Sequence, residues 1–83
     1  MKKTFTISKI LKTGTTPNKK KYTKTETAKG IKVVFWGHHA LEITGKRLPC
    51  KVKCECKPVS AHNKREYGDD FNVLESYPLI FVE

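Results

Sequence analysis

Apolar and polar residues alternate along several short segments of this chain, whereas helical periodicity is poor throughout. The clearest alternation is CKVKCECK at residues 50–57, and the segment IKVVFW at residues 31–36 is rich in β-branched and aromatic residues. A period of two residues is typical of strands that bury one face. The core must therefore come mainly from β-strands, and 83 residues leave room for a single domain, residues 1–83.

Strand and turn signals divide the chain into a regular order. Five strands are predicted, at residues 4–11, 20–28, 31–36, 50–57 and 71–82, the last one broken or bent at Pro78. Between them we expect a loop at 13–19 with a bulge at Gly14, a tight turn at Lys29-Gly30, a helical turn or short strand at 38–47, and a polar loop at 58–70. This order predicts an all-β or mostly β fold, a small five-stranded OB-like barrel with a short helical turn at most. An SH3-like barrel and a Greek-key sandwich remain open as alternatives.

The hairpin around Lys29-Gly30 carries the aromatic residues of interest. A two-residue turn would pair Thr23 with Trp36 and Thr25 with Val34. One face would then form core, with Tyr22, Ala28, Ile31, Val33 and Phe35; the other would carry Lys21, Thr23, Thr25, Thr27, Lys32, Val34 and Trp36. A polar, lysine-edged face with one tryptophan suits the stacking of unpaired bases. Alternatively Trp36 packs into the core, and a register slip of one residue would exchange the two faces.

The positive charge lies in one part of the chain. The formal net charge is +9, and residues 1–32 hold ten lysines against one acid, Glu26, while basic and acidic residues balance over 33–83. Such an excess predicts a patch that attracts a polyanion, although a merely solvated surface is the alternative. Because 15 of the 17 basic residues are lysines, the charge favours contact with a phosphate backbone over sequence-specific reading of a duplex.

Three cysteines and three histidines are the candidate metal ligands: Cys50, Cys54, Cys56, His38, His39 and His62. The cysteine spacing is not that of a zinc knuckle, and alternation places the three cysteines on one strand face with Val52. We therefore predict that they are small core residues, with zinc binding as the alternative. An odd number of cysteines also favours a reducing, cytoplasmic environment.

Several classes of protein are not expected. The sequence has no glycine-rich phosphate loop, no HEXXH or GXSXG motif and no paired carboxylates, so we predict no enzyme, no catalytic residue, no metal and no cofactor. Lysines interrupt the apolar residues near the N-terminus, which argues against a signal peptide, and no segment is long and apolar enough to cross a membrane.

The stretch KKYTKTETAKGIKVVFWG, residues 20–37, resembles the OB-fold single-stranded DNA-binding proteins, especially the small ones encoded by phages and mobile elements. The resemblance implies aromatic residues that stack on bases from the second and third strands, which here match Tyr22 and Trp36. It also implies contacts from nearby lysines to the nucleic-acid backbone. The chain departs from bacterial members in two ways, since it lacks a long helix between strands three and four and a glycine- and proline-rich tail with an acidic tip.

The expected function is therefore binding of single-stranded DNA or RNA, with DNA favoured and with little sequence preference. In the loop 58–70 only the first part is expected to contribute, because Asp69-Asp70 would repel phosphate. The predicted binding residues are Lys19, Lys20, Lys21, Tyr22, Lys24, Lys32, Trp36, Lys64, Arg65 and Tyr67. The alternative function is a phage or mobile-element inhibitor that binds a host nucleic-acid-processing or defence protein in the host cytoplasm. An exposed edge strand could also pair two copies into a homodimer.

Overall fold

Eight elements follow one another along residues 1–82, which are the residues that this computed structural model describes. Their bounds are β1 Lys2–Thr15, β2 Lys21–Thr27, β3 Lys32–Trp36, α1 His38–Thr44, β4 Cys50–Pro58, α2 Ala61–Tyr67, β5 Phe71–Val73 and β6 Ile80–Val82. Neither helix in these residues has the length and the apolar run that crossing a membrane requires.

Five of the strands form a closed ring. The pairing runs β1–β2–β3–β5–β4 and returns from β4 to β1. Only the β3–β5 pairing is parallel among these contacts, and the others are antiparallel. Closure of the ring pairs both edges of its strands and encloses one core. The prediction of a mostly β fold with a small five-stranded barrel is therefore confirmed.

The fifth predicted strand, residues 71–82, is split into β5 and β6. Both pieces pair with β4, but residues 74–79 leave the sheet between them, so the register of β6 does not continue that of β5. Pro78 lies in this excursion and cannot donate to a ladder, as predicted. The excursion is held by buried His39 of α1, whose Nε2 donates to the carbonyl oxygen of Tyr77 at 2.6 Å.

The first strand is longer than predicted, and the loop expected at 13–19 is confined to residues 16–20. β1 continues to Thr15, and the connection to β2 is a tight turn in which the amide of Lys19 donates to the carbonyl of Thr16 at 2.8 Å. The register shifts lie between Ile7 and Lys9 and between Ile10 and Lys12, not at Gly14. Gly14 instead lies opposite Tyr22, where an added Cβ would be 2.6 Å from the tyrosine hydroxyl oxygen.

The register of the β2–β3 hairpin differs by one residue from the predicted one. Tyr22 pairs with Trp36 and Thr25 with Val33, because the turn has three residues, 28–30, rather than two. Gly30 ends this turn with a φ of 83°, the left-handed conformation that closes a three-residue hairpin loop. The prediction of a threonine-rich outer face is therefore wrong, and Tyr22 lies outside the barrel with Trp36 instead of in the core.

The threonines of β2 point into the barrel, where each hydroxyl has a hydrogen-bond partner. Thr25 donates to the carbonyl of Val33 at 2.8 Å, and Thr23 donates to the carbonyl of Ala40 at 3.1 Å. Thr27 accepts from the amide of Ile31 at 3.1 Å. Buried hydroxyls are tolerated in a core when they are paired in this way.

The alternation along β4 is confirmed. Cys54 and Cys56 are buried beside Val52, and Cys50 is half-buried. Burial raises the pKa of Cys54 to about 12, so its thiol stays protonated at neutral pH. Among residues 1–82, no three histidine, cysteine or acidic side chains come together as ligands for a metal ion.

Two helices replace the single helical turn that the sequence predicts. Residues 38–47 contain α1, which ends at Thr44 and is capped by Gly45, and the loop predicted at 58–70 contains α2. Ser60 caps α2 by accepting the amide of Asn63 at 3.1 Å, and Gly68 follows its last turn with a φ of 75°. None of residues 61–67 is buried, so no apolar periodicity marks this helix.

Candidate nucleic-acid interface

Tyr22 and Trp36 lie side by side on the outer face of the barrel. Their ring centroids are 5.8 Å apart and the ring planes are inclined by 51°, which follows from their direct cross-strand pairing. The indole Nε1 of Trp36 donates to the Oδ1 of Asn72 at 3.2 Å. Asn72 reaches the indole because β5 pairs in parallel with β3, with Asn72 opposite Val34. Trp36 is thereby fixed in orientation while its side chain stays only half-buried.

A groove of about 360 Å³ lies beside this pair, and we call it the aromatic groove. The β1–β2 hairpin forms one wall, the outer face of β2 and β3 forms the floor, and α2 with its flanking residues forms the other wall. The lining residues are Lys12, Thr16, Tyr22, Lys24, Trp36, Val59, Asn63, Tyr67, Asp69 and Asn72. Its size falls in the range of small-ligand pockets.

Tyr67 brings a third aromatic ring to the aromatic groove from the last turn of α2. The residue is 64% exposed, so much of its ring is accessible. The Nζ of Lys24 lies 5.2 Å from the ring centroid and 3.5 Å from the Oδ2 of Asp69. Lys24 therefore links the floor of the groove to the wall that α2 supplies.

A second depression lies on the other side of Trp36 and Asn72, and we call it the flanking groove. Lys20 and Lys57 line it together with Glu75. The Nζ of Lys20 lies 5.6 Å from the centroid of the Trp36 ring and 2.5 Å from the Oε2 of Glu75. Basic side chains thus lie on both sides of Trp36.

The structure brings together four of the ten predicted binding residues. Tyr22, Lys24, Trp36 and Tyr67 all line the aromatic groove, and Lys20 lines the flanking groove. The corrected hairpin register is what unites Tyr22 with Trp36, since the predicted register placed them on opposite faces.

The other five predicted residues do not line either groove. Lys21 lies on the opposite side of β2, where it lines a depression with Ala40 and Leu41 of α1. Lys19 lies at the tip of the β1–β2 turn, and Arg65 is exposed on α2. The remaining two, Lys32 and Lys64, are ion-paired with Glu26 and Asp70.

The ion pairs of Lys32 and Lys64 are part of the fold. Hydrogen bonds from Lys32 and Lys9 lower the pKa of Glu26. The backbone amide of Lys32 lowers the pKa of Asp70 by donating to its carboxylate at 2.9 Å, and Lys64 adds a contact at 3.0 Å. A phosphate would have to compete with these carboxylates for either lysine.

Sequence reasoning missed six lining residues: Lys12, Thr16, Val59, Asn63, Asp69 and Asn72. Asn72 could not have been found, because only the parallel β3–β5 pairing brings it to Trp36. Asp69 was expected to repel phosphate, yet it lies in the groove beside Lys24. The serine cap and Gly68 around residues 61–67 were the available signal for the helix that carries Asn63 and Tyr67.

Comparison of the chain with protein-family models, curated proteins and solved structures finds no match. The function proposed below therefore depends on the geometry and charge of the two grooves.

Proposed function

We propose that this protein binds single-stranded nucleic acid, with DNA favoured, in the aromatic groove. The observation that carries the proposal is the meeting of three aromatic side chains and two lysines in one groove on the outside of a β-barrel. The ring of strands supports an OB-type barrel, in which strands 2 and 3 and the adjoining loops form the ligand surface. The aromatic groove occupies that surface, between the β1–β2 turn and α2.

Stacking on Trp36 would supply the contact to the bases. Each base that stacks on an aromatic side chain contributes about 1–3 kcal/mol, largely independently of its identity. Asn72 holds the indole and Tyr22 packs against it, so little side-chain entropy is lost when a base arrives. Tyr67 offers a second ring from the wall that α2 forms. Bases in a duplex are already stacked on one another, so this arrangement favours a single strand.

Lysines on both sides of Trp36 would contact the phosphates. Lys12 and Lys24 line the aromatic groove, and Lys20 and Lys57 line the flanking groove. If all four neutralise phosphates, the logarithm of the affinity should fall with the logarithm of the salt concentration with a slope of about −3. Lys20 and Lys24 already face Glu75 and Asp69, so the measured slope should be somewhat smaller.

Fluorescence of the single tryptophan, Trp36, tests the proposal. Oligo-dT should quench its emission at low salt, more strongly than a duplex of the same length, and the affinity should fall as salt is raised. Tyr67→Ala should weaken binding by about tenfold or more, since one stacking partner is removed. Tyr77→Ala is the matched control, because Tyr77 is also exposed, at 51%, but lines neither groove.

The lysines have a matched control of their own. Lys12→Gln should weaken binding and reduce the salt slope by about 0.7, whereas Lys29→Gln should do neither. Lys29 is exposed in the β2–β3 turn and has no acidic partner among residues 1–82. Absence of quenching and binding at low salt would overturn the proposal and favour the inhibitor alternative. Equal quenching by duplex and single strand would indicate a general polyanion binder instead.

A further inference from the structure

Asp69 is a carboxylate in a groove proposed to hold a polyanion. Its neighbour Asp70 has a structural role, since it accepts the backbone amide of Lys32 and pairs with Lys64. Asp69 has no comparable role: within residues 1–82 its carboxylate has one partner, Lys24, at 3.5 Å. Its side chain is only 14% exposed, and the residue lines the aromatic groove. A negative charge in this position opposes phosphate binding, so it calls for a ligand group that donates hydrogen bonds.

Asn72 also lines the aromatic groove, and its contact with Trp36 fixes the orientation of its side-chain amide. The indole N–H of Trp36 can only donate, so the Oδ1 of Asn72 must face the indole. The amide nitrogen of Asn72 is therefore turned away from the indole, and it has no hydrogen-bond acceptor among residues 1–82; Asn72 lines both the aromatic groove and the flanking groove. The aromatic groove thus holds an acceptor, Asp69, and a donor, Asn72, beside two aromatic rings, Trp36 and Tyr67.

Guanine is the base whose free edge matches this pair of groups. Its Watson–Crick edge presents two adjacent donors, N1–H and the N2 amino group, followed by the O6 acceptor. A carboxylate has about four lone-pair sites and can accept both donors while it keeps its contact with Lys24. Adenine and cytosine present one amino donor next to a ring acceptor, and thymine and uracil present one N–H between two carbonyls. Those edges leave one carboxylate oxygen facing an acceptor.

We infer that the aromatic groove contains a guanine subsite, in which Asp69 accepts from N1–H and N2–H₂ and Asn72 donates to O6 while the ring stacks between Trp36 and Tyr67. The inference rests on the proposed function and sharpens it, because it predicts base preference at one position of an otherwise permissive strand. Unpaired bases are read in this manner, on their exposed edges.

The test compares oligo-dT with the same oligonucleotide carrying one central guanine, hypoxanthine or adenine, by quenching of Trp36 emission. Guanine should raise the affinity about tenfold, the effect of one well-made pair of base contacts. Hypoxanthine lacks the N2 amino group and should recover only part of that gain, and adenine should give none. Asp69→Asn should remove the guanine preference, so that the variant binds the guanine-containing oligonucleotide no more tightly than it binds oligo-dT.

Glu66→Gln is the matched control. Glu66 is exposed on α2 and lines neither groove, so its removal changes the overall charge equally but should keep the guanine preference. Equal affinities for all four oligonucleotides would overturn the guanine subsite and leave the proposed function standing. A guanine preference that survives Asp69→Asn would also overturn it. Failure of every oligonucleotide to bind would overturn the proposed function, and the subsite with it.

Discussion

Substitution of Thr25 by lysine tests the hairpin register that places Tyr22 beside Trp36. Thr25 is fully buried, with 0% exposure, and its hydroxyl donates to the carbonyl of Val33. A lysine here must either bury its charge or lose its proton, and a pKa shift of 3–5 units corresponds to about 4–7 kcal/mol. A domain of this length has a free energy of unfolding of about 4–12 kcal/mol in total. Thr25→Lys should therefore remove about 4–7 kcal/mol, which is a large part or all of this free energy.

Thermal and urea denaturation, followed by circular dichroism and by Trp36 emission, measure the effect. The control is Thr13→Lys, because Thr13 is an exposed strand threonine, and it should change the free energy of unfolding by no more than about 0.5 kcal/mol. Thr25→Val should cost at most about 1.5 kcal/mol, since it loses one hydrogen bond but buries no charge. If Thr25→Lys unfolded at the same midpoint as Thr13→Lys, the threonines would face solvent and the described register would be refuted.

Three further predictions concern the fold around the grooves. Asp70→Asn should lower the free energy of unfolding at neutral pH, because the native pKa of Asp70 lies below its ordinary 3.8 and the ionised form is stabilised by folding. The difference in the free energy of unfolding between the variant and the parent protein should shrink as the pH falls below 3.8 through the native pKa of Asp70. A difference that does not depend on pH would contradict this prediction. Cys54, with a pKa of about 12, should react with a thiol reagent only on unfolding, and half-buried Cys50 should react before it. Mass spectrometry of the labelled peptides measures this order, and labelling of Cys54 before Cys50 would contradict the prediction. Gly14→Ala should displace the Tyr22 ring, which lies 2.6 Å from the added Cβ, and so lower oligonucleotide affinity severalfold while the free energy of unfolding changes by less than about 1 kcal/mol. Unchanged affinity would show that Tyr22 does not support the binding surface.

The sequence predicts the fold correctly where the polarity of each side chain matches its burial. Alternation along residues 50–57 correctly separates buried Cys54 and Cys56 from the charged residues of the other face, Lys51, Lys53, Glu55 and Lys57, because the two faces of β4 differ in polarity. The hairpin register could not be read in this way. Its inward face carries threonines, which are polar but hydrogen-bonded, and the turn length decides the register. The predicted register also places Lys24 and Glu26 on the core face, where charged side chains fit poorly, and this misfit indicated the error.

The candidate site was only half predictable for a related reason. Tyr22 and Trp36 are aromatic residues on adjacent predicted strands, and their residue type alone makes them candidates for base stacking. Asn72 and Asp69 become site residues only through the parallel pairing of β5 with β3, a contact between residues distant in sequence. The helix α2 buries no side chain, so its sequence has no hydrophobic periodicity, which is the strongest signal for predicting a helix.

The indole N–H signal of Trp36 gives the most direct test of the central claim. The chain has one tryptophan, so a ¹H–¹⁵N spectrum contains a single indole resonance, from the group that donates to Asn72. On titration with oligo-dT at low salt, this resonance and the backbone amides of Lys24, Tyr67 and Asn72 should shift together and saturate with one dissociation constant. Shifts confined to the outer face of β4, or no shifts at all, would contradict binding in the aromatic groove.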